Sequence, residues 1–295
     1  LDSYIPAPDM GTDERDLQII HEVYSRHGAG SQDFRGVTGR PIENGGIPVD
    51  DWGLTAHGLL AASETLEKID DQFKIKNSSV VVQGYGNVGS CTAIKLQQAG
   101  ATIVGASDIH AGLWNPQGLN TDELNRVRHS SQGLQNYTGK IQKKFVGKKL
   151  DWLMEAPCEF LVPAARPDSI TSRNADRIQC KVILQGANTP SNKMTEYYLK
   201  NRRGILSLND FIVNVGGVVG CAVEIKMAAD PEYRDKVRET GTRTYLEDLI
   251  YSTVSRNVEE IFQRLKGSPQ DTLFREQALE LVEERLNSHQ KECWL

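Results

Sequence analysis

Ser79-Val80-Val81-Val82-Gln83-Gly84-Tyr85-Gly86-Asn87-Val88-Gly89 decides how this sequence folds. A valine run leads straight into Gly-x-Gly-x-x-Gly, and a helical pattern follows from Asn87 to Gln98. Valine is stiff at χ1 and suits a strand better than a helix. An unbroken apolar strand, as opposed to an alternating one, is what a parallel sheet buried on both faces requires. A glycine triplet between such a strand and a helix marks a dinucleotide-binding turn. Gly84 permits the tight turn, Gly86 lets the backbone approach a diphosphate, and Gly89 lets helix and strand pack closely. The start of the helix then offers N–H groups and a positive dipole end to the phosphates. Gly84, Tyr85, Gly86, Asn87, Val88 and Gly89 are accordingly the first candidate cofactor-binding residues.

Working outward, Ala101–Gly105, Glu159–Val162 and Lys181–Leu184 are further apolar, β-branched runs, with a weaker one at Ile205–Leu208. Strands alternating with helical patterns predict an α/β fold with a Rossmann-type doubly wound parallel sheet. The second strand ends near Ala106-Ser107-Asp108. Asp108 lies about 20 residues past the last glycine, where an acidic residue holds the ribose hydroxyls of NAD. Ser107 and Asp108 therefore join the cofactor candidates. Ala106 and Ser107 are small enough to leave room for a 2′-phosphate, but no arginine follows at once. The expected cofactor is NAD, with NADP open.

Leu54 to Ile69 predicts an amphipathic helix, with Leu59, Ala62, Leu66 and Ile69 at helical spacing. Thr244–Leu265 and Asp271–Leu286 predict two long helices, parted by the stop signal Lys266-Gly267-Ser268-Pro269. The first 50 residues are rich in Gly, Pro and Asp and read as loop-heavy. The basic run Lys143-Lys144, then Lys148-Lys149, reads as a solvated loop or helix end.

The bulk properties of the 295-residue chain narrow the function further. Apolar residues make up 39% and charged residues 25%, enough for a real core. A net charge of −5 argues against a nucleic-acid partner. No apolar run approaches the ~18 residues of a membrane span. The five cysteines, Cys91, Cys158, Cys180, Cys221 and Cys293, are odd in number and scattered, as in reduced cytoplasmic proteins. No His or Cys cluster has metal-ligand spacing, so no metal is expected. The chain opens Leu1-Asp2-Ser3-Tyr4, without Met or a secretory leader, which reads as the start of a fragment.

Five further segments, with the Gln83–Gly89 turn, carry a resemblance. They are Tyr4-Ile5-Pro6-Ala7-Pro8-Asp9-Met10-Gly11-Thr12, Val37-Thr38-Gly39-Arg40-Pro41 with Gly45-Gly46, Trp114-Asn115-Pro116-Gln117-Gly118, Gln185-Gly186-Ala187-Asn188, and Asn214-Val215-Gly216-Gly217-Val218. In this order they resemble the glutamate/leucine/phenylalanine/valine dehydrogenase family, and Ala7-Pro8-Asp9-Met10-Gly11-Thr12 points to its glutamate dehydrogenase branch. The resemblance implies reversible NAD(P)-dependent oxidative deamination of L-glutamate to 2-oxoglutarate and ammonium, in a homo-hexameric parent. It implies that Asp9 relays the proton at the substrate nitrogen. Thr55 and Asn188 would lie by the nicotinamide, and Asn214 would line the catalytic cleft, touching cofactor and substrate. Ala164 and Ala165, in Pro163-Ala164-Ala165, would close the cofactor site at a strand end. Cys221 stands where glutamate-specific members place a serine for the substrate's distal carboxylate.

The same resemblance divides the chain. Residues 1–50 would be the remnant of a substrate domain carrying the catalytic aspartate. Residues 51–212 would be the dinucleotide-binding domain, and residues 213–295 a C-terminal helical segment. The family's activating lysines precede the aspartate motif, upstream of Leu1, which implies a weak or inactive enzyme. The alternative expectation is a non-catalytic nucleotide-binding regulatory or assembly module. Three departures accompany this: Cys221 for serine, Gln185 for glutamate and Val215 for alanine.

Overall fold

Val80, Val81 and Val82 send alternate side chains to opposite faces of a sheet, and both faces are covered. The computed structural model describes residues 5–9, 12, 14–29 and 36–289. Tyr4, Met10 and Gly11 of the aspartate segment, and Cys293, lie outside the described residues. At the centre is β1 (Ser79–Gln83), flanked by β2 (Thr102–Ser107) and β5 (Phe160–Pro163). Beyond β5 follow β6 (Val182–Leu184) and β7 (Leu206–Leu208), all parallel. Beyond β2 lie β3 (Gly112–Trp114) and β4 (Lys143–Phe145), both antiparallel to their neighbours. The order β4-β3-β2-β1-β5-β6-β7 reverses direction at β1. This is a Rossmann-type doubly wound sheet, and its switch point lies beside the strand that carries the glycines.

One face buries Val80, Val82, Ile103, Phe160 and Val162. Over it lie α2 (Leu54–Ile69), α3 (Asn87–Gln98) and α9 (Thr242–Lys266). α2 forms because Leu, Ala, Glu and Lys propagate a helix well, and Leu54, Leu59, Ala62 and Leu66 give it one continuous buried stripe. It stops at Asp70, which is extended. Each fully buried aliphatic side chain of this face contributes about 1.5–3 kcal/mol relative to exposure. The other face buries Val81, Val104, Leu161 and Ile183 against Leu153, Met154, Ile170 and Leu199. Leu153 and Met154 come from a 3-10 segment, Gly147–Glu155, and Leu199 from α5 (Lys193–Arg203).

Four other helices complete the C-terminal part: α6 (Asp210–Val213), α7 (Gly216–Ala229), α8 (Pro231–Thr240) and α10 (Phe274–His289). α10 packs on α9, and α7 packs on α2 and α8. α4 (Thr121–Val127) sits against α3 and is capped by Asn120, whose side chain accepts from the Glu123 N–H.

One element was not foreseen and one differs from the sequence reading. Among the described residues of the loop-heavy first 50, Glu14–Tyr24 forms helix α1. Lys143 and Lys144 are neither loop nor helix end but two of the three residues of β4. Their exposure has a reason, since lysines on an edge strand discourage pairing with another chain.

Candidate functional site

Strand ends at the carboxyl edge of the sheet are laced to one another by backbone hydrogen bonds. The Gly84 and Tyr85 N–H groups both donate to Ser107 O, at 2.9 and 2.6 Å. Ala164 N donates to Gln83 O, and Gly186 N and Ala187 N donate to Pro163 O. The turns after β1, β2, β5 and β6 are thereby held side by side.

A cleft of about 610 Å³ opens along this edge. Gly84, Tyr85, Gly86, Ser107, Asp108, Ala164 and Ala165 line it, so seven cofactor candidates meet in one place. Asn87, Val88 and Gly89 continue from the turn into α3 and are not part of the lining. Asn87 donates instead to the Asp50 carboxylate, at 3.1 Å.

The three glycines are required for different reasons. At Gly84 (φ +94) a Cβ would lie 2.7 Å from the Ala165 backbone. At Gly89 a Cβ would fall inside the carbonyl oxygen of Gly84. Both are demanded by the protein's own packing. Gly86 is different: its φ of −82° suits any L-residue, and a Cβ there would meet nothing within 4 Å. No part of the fold requires glycine at 86. The space its missing side chain leaves faces the cleft at the N-cap of α3, where no side chain caps the helix. That fits a diphosphate brought against bare backbone.

Asp108 sits where the ribose acid was expected, but its carboxylate is engaged with the protein. Oδ1 accepts from the His110 and Ala111 N–H groups, each at 2.8 Å, and Oδ2 accepts from the Leu134 N–H at 2.6 Å. Sequence reasoning missed Arg128, Ser130, His110, Asp151 and Arg166, which also line the cleft. His110 and Arg166 follow the ends of β2 and β5 by three residues, whereas Arg128, Ser130 and Asp151 come from 21 to 44 residues beyond β2, and only the folded chain brings all five together. Arg166 is paired with Asp151 at 3.0 Å.

Thr55, Asn188 and Asn214 lie beyond this cleft's lining, around the start of α7. A Cβ on Gly217 would lie 3.1 Å from Thr55 Oγ1, so threonine and glycine face each other closely. Asn214 donates through Nδ2 to Asn188 Oδ1 at 2.9 Å and to Gly186 O at 3.2 Å. Asp210 accepts from the Thr189 N–H at 2.8 Å. Thr189 itself has φ +46, an unfavourable state for a β-branched residue that these neighbours hold in place.

Beneath this loop lies a buried polar cluster. Gln185 Nε2 donates to Glu196 Oε1 at 2.8 Å and to the hydroxyls of Ser191 and Ser207, each at 2.9 Å. Gln185 Oε1 accepts from the Asp210 N–H at 3.1 Å. Arg275 of α10 grips Glu196 with Nε at 2.8 Å and Nη2 at 2.7 Å. The departure at 185 has its reason here: with a buried carboxylate at 196, residue 185 must donate, and glutamine does so where an ionised glutamate does not.

Asp9 is exposed and begins a turn in which its N–H donates to Thr12 Oγ1 at 2.8 Å. Its segment docks on the loop after Val37: the Thr38 N–H donates to Pro6 O at 3.0 Å. Thr38 Oγ1 in turn donates to Cys221 O at 3.3 Å. The loop is clamped from below by Glu224 of α7. Its Oε1 accepts from Arg40 Nε at 3.1 Å, and its Oε2 accepts from the Gly39 and Ile47 N–H groups, each at 2.9 Å. Arg40 and Glu224 are almost wholly buried. Burial pushes the Cys221 thiol above its ordinary range, so it stays protonated.

Among the described residues no group of three or more His, Cys, Asp or Glu is placed to hold a metal ion. No helix among them is long and apolar enough to cross a membrane.

Residues 45–282 match the family model described as glutamate/leucine/phenylalanine/valine dehydrogenase. A glutamate dehydrogenase of Aeropyrum pernix is 36% identical over 230 residues, 76% of this chain and 51% of that protein. An NADP-specific glutamate dehydrogenase of Saccharolobus shibatae is 36% identical over 223 residues, 75% of this chain and 50% of its own length. The chain thus spans about half the length of these curated relatives. Among solved structures, a hetero-hexameric glutamate dehydrogenase of Thermus thermophilus superposes with a TM-score of 0.77 at 25% identity. That match covers all of this chain and 66% of the other.

Proposed function

We infer, from the premise that this chain belongs to the glutamate/leucine/phenylalanine/valine dehydrogenase family, that it serves the reversible NAD- or NADP-dependent oxidative deamination of L-glutamate to 2-oxoglutarate and ammonium. One observation carries the reading: Gly86 is a glycine that the fold does not need, at the spot where a diphosphate must approach. The nicotinamide cofactor accepts or gives the hydride; the chain binds it, orients it and handles the proton. Gly84, Gly86, Ala164 and Ala165 form the walls for the adenosine diphosphate half. Asn188 and Asn214 act as one hydrogen-bonded pair on the nicotinamide side, with Thr55 opposite the Gly216-Gly217 step. Asp9 is the proton relay to the substrate nitrogen, held in register by the Thr38 loop. Cys221 sits beside that loop on the substrate side. In this reading the parent protein assembles as a homo-hexamer, as the family resemblance implies.

The test is a titration of the chain with NADH and NADPH, followed by an assay of the full-length protein for L-glutamate-dependent cofactor reduction, since the chain by itself is expected to be weakly active or inactive. Saturable binding with turnover supports the reading, and no binding of either cofactor overturns it. Binding without turnover on any amino acid favours a non-catalytic nucleotide-binding regulatory or assembly module. The observation on that side is Cys221 itself, whose thiol is a weaker donor than a serine hydroxyl. A Cys221→Ser change that improves glutamate use would return the balance to the enzyme.

A further inference from the structure

Resting on that reading, we propose that Arg128 is a specificity-determining residue that makes the cleft prefer NADPH over NADH, by binding the phosphate on the adenosine 2′-oxygen. Two independent features point there. The first is the state of Asp108. An acid at the end of β2 selects NAD by accepting hydrogen bonds from the free ribose hydroxyls. Here both carboxylate oxygens accept from backbone N–H groups, and a Cβ on Gly133 would collide with Oδ2. Asp108 shapes the turn at 108–111 and holds Leu134 against it. Its three N–H partners already stabilise its charge. Immediately before it, Ala106 and Ser107 bring no charge and little bulk.

The second feature is Arg128 itself. It follows α4, and its guanidinium is half-buried in the cleft that Tyr85, Ser107, Asp108, His110 and Ser130 also line. Nη1 donates to Ser90 Oγ at 2.7 Å, and Nε donates to His129 Nε2 at 3.0 Å. These two anchors fix the plane of the group against the first turn of α3. Nearby arginines are neutralised: Arg126 pairs with Glu123 and Arg166 with Asp151. Arg128, among the described residues, has no carboxylate at salt-bridge distance. An anchored guanidinium with an unspent charge, in a cleft that expects the adenosine end of a dinucleotide, matches a phosphate dianion and has no counterpart on a bare hydroxyl. Ser130 and Gly133 also line the cleft, with the Ser130 hydroxyl donating to Val127 O.

The experiment is a fluorescence titration of the chain with NADPH and with NADH, repeated on Arg128→Gln and Arg128→Lys, with 2′,5′-ADP and 5′-AMP as fragments lacking nicotinamide. The expected result is a preference of about tenfold or more for NADPH, the size of one charge-assisted contact. Arg128→Gln should reduce it to about threefold or less by weakening NADPH alone, and Arg128→Lys should retain part of it. The preference should persist between the two fragments and shrink in high salt. If NADH binds as tightly as NADPH, or if Arg128→Gln weakens both cofactors equally at an unchanged melting temperature, the assignment is overturned while cofactor binding stands. If neither cofactor binds, the dehydrogenase reading falls and takes this one with it.

Discussion

Asn214 Nδ2 lies 2.9 Å from Asn188 Oδ1, across 26 residues of sequence, and the same nitrogen also reaches Gly186 O. One amide therefore braces both ends of the Gly186–Asn188 turn. Two short polar side chains that stand alone in sequence act here as a unit. Their order in the chain suggested a common site, and the hydrogen bond supplies the physical link.

Asn214→Ala should loosen this turn without unfolding the chain, because Asn188 is exposed and Asn214 half-exposed. A net hydrogen bond is worth about 0.5–1.5 kcal/mol, so cofactor affinity should fall about threefold to tenfold. The melting temperature should move little. Titration and thermal denaturation on the same sample check both statements, and unchanged affinity would remove the pair from the site.

Gly86 and Gly89 make a matched contrast. Gly89→Ala drives a Cβ into the backbone of Gly84, neither end of which is flexible, and should cost about 3 kcal/mol or more. Gly86→Ala meets open space at an allowed φ and should leave stability within about 0.5 kcal/mol while abolishing cofactor binding. Denaturant titration separates them from the binding assay. A Gly86→Ala chain that still binds normally would contradict the role given to that glycine.

His57 provides a pH test. Burial first, and the Lys95 charge second, hold its pKa below the ordinary 6.5; its Nδ1 lies 3.4 Å from Lys95 Nζ. Glu247 and Glu64 act in the opposite direction without overcoming these. The unfolded chain thus takes up this proton at a higher pH than the folded one. The stability tied to neutral His57 is complete above 6.5 and is lost as pH falls through the lowered value. His57→Phe should therefore gain on the parent chain as pH drops from 7.5 to 5. Comparing melting temperatures of the two at both pH values checks it, and a constant gap would place the titrating group elsewhere.

The fold was legible where local chemistry and global packing agree. Val80–Val82 can be little other than a buried strand, and α2 and α3 have the bounds that their apolar spacing predicts. β3 and β4 were not legible, because three residues carry no periodicity and Lys143-Lys144 pairs only by completing an edge. α1 was hidden by the loop-forming residues around it. At the site, glycines and short motifs could be read, since each imposes a backbone condition. Arg128 and the Gln185–Glu196–Arg275 cluster could not, since their meaning depends on which side chains the sheet brings within 3 Å.

Glu224 carries the loop on which the Asp9 segment rests. Glu224→Ala would remove the Glu224 carboxylate from the buried Arg40 guanidinium and strip two N–H groups of their acceptor. Breaking one side of a buried ion pair costs about 3–5 kcal/mol. The loss should appear as a lower denaturation midpoint. A loss of less than about 1 kcal/mol would mean that water enters the clamp and replaces the carboxylate.

Gln185 stands where the resemblance to the family implies a glutamate. Gln185→Glu would set a carboxylate against Glu196, which already accepts from Ser191, Asn209 and both arms of Arg275. Two buried acceptors 2.8 Å apart, with one donor removed, should cost about 2–4 kcal/mol at neutral pH. The new acid should escape part of this by keeping its proton. Its folded pKa is then raised, so the lost stability returns as pH falls toward 5 and disappears again as pH rises. Moving the charge tests the cause: Gln185→Glu combined with Glu196→Gln keeps one carboxylate and one donor in the cluster, within reach of Arg275. The double variant should recover at least half of the single variant's loss, read as a coupling energy in a double-mutant cycle. Simple additivity of the two changes would show that the residues at 185 and 196 are not exchanging charge through this contact, and that glutamine at 185 has some other reason.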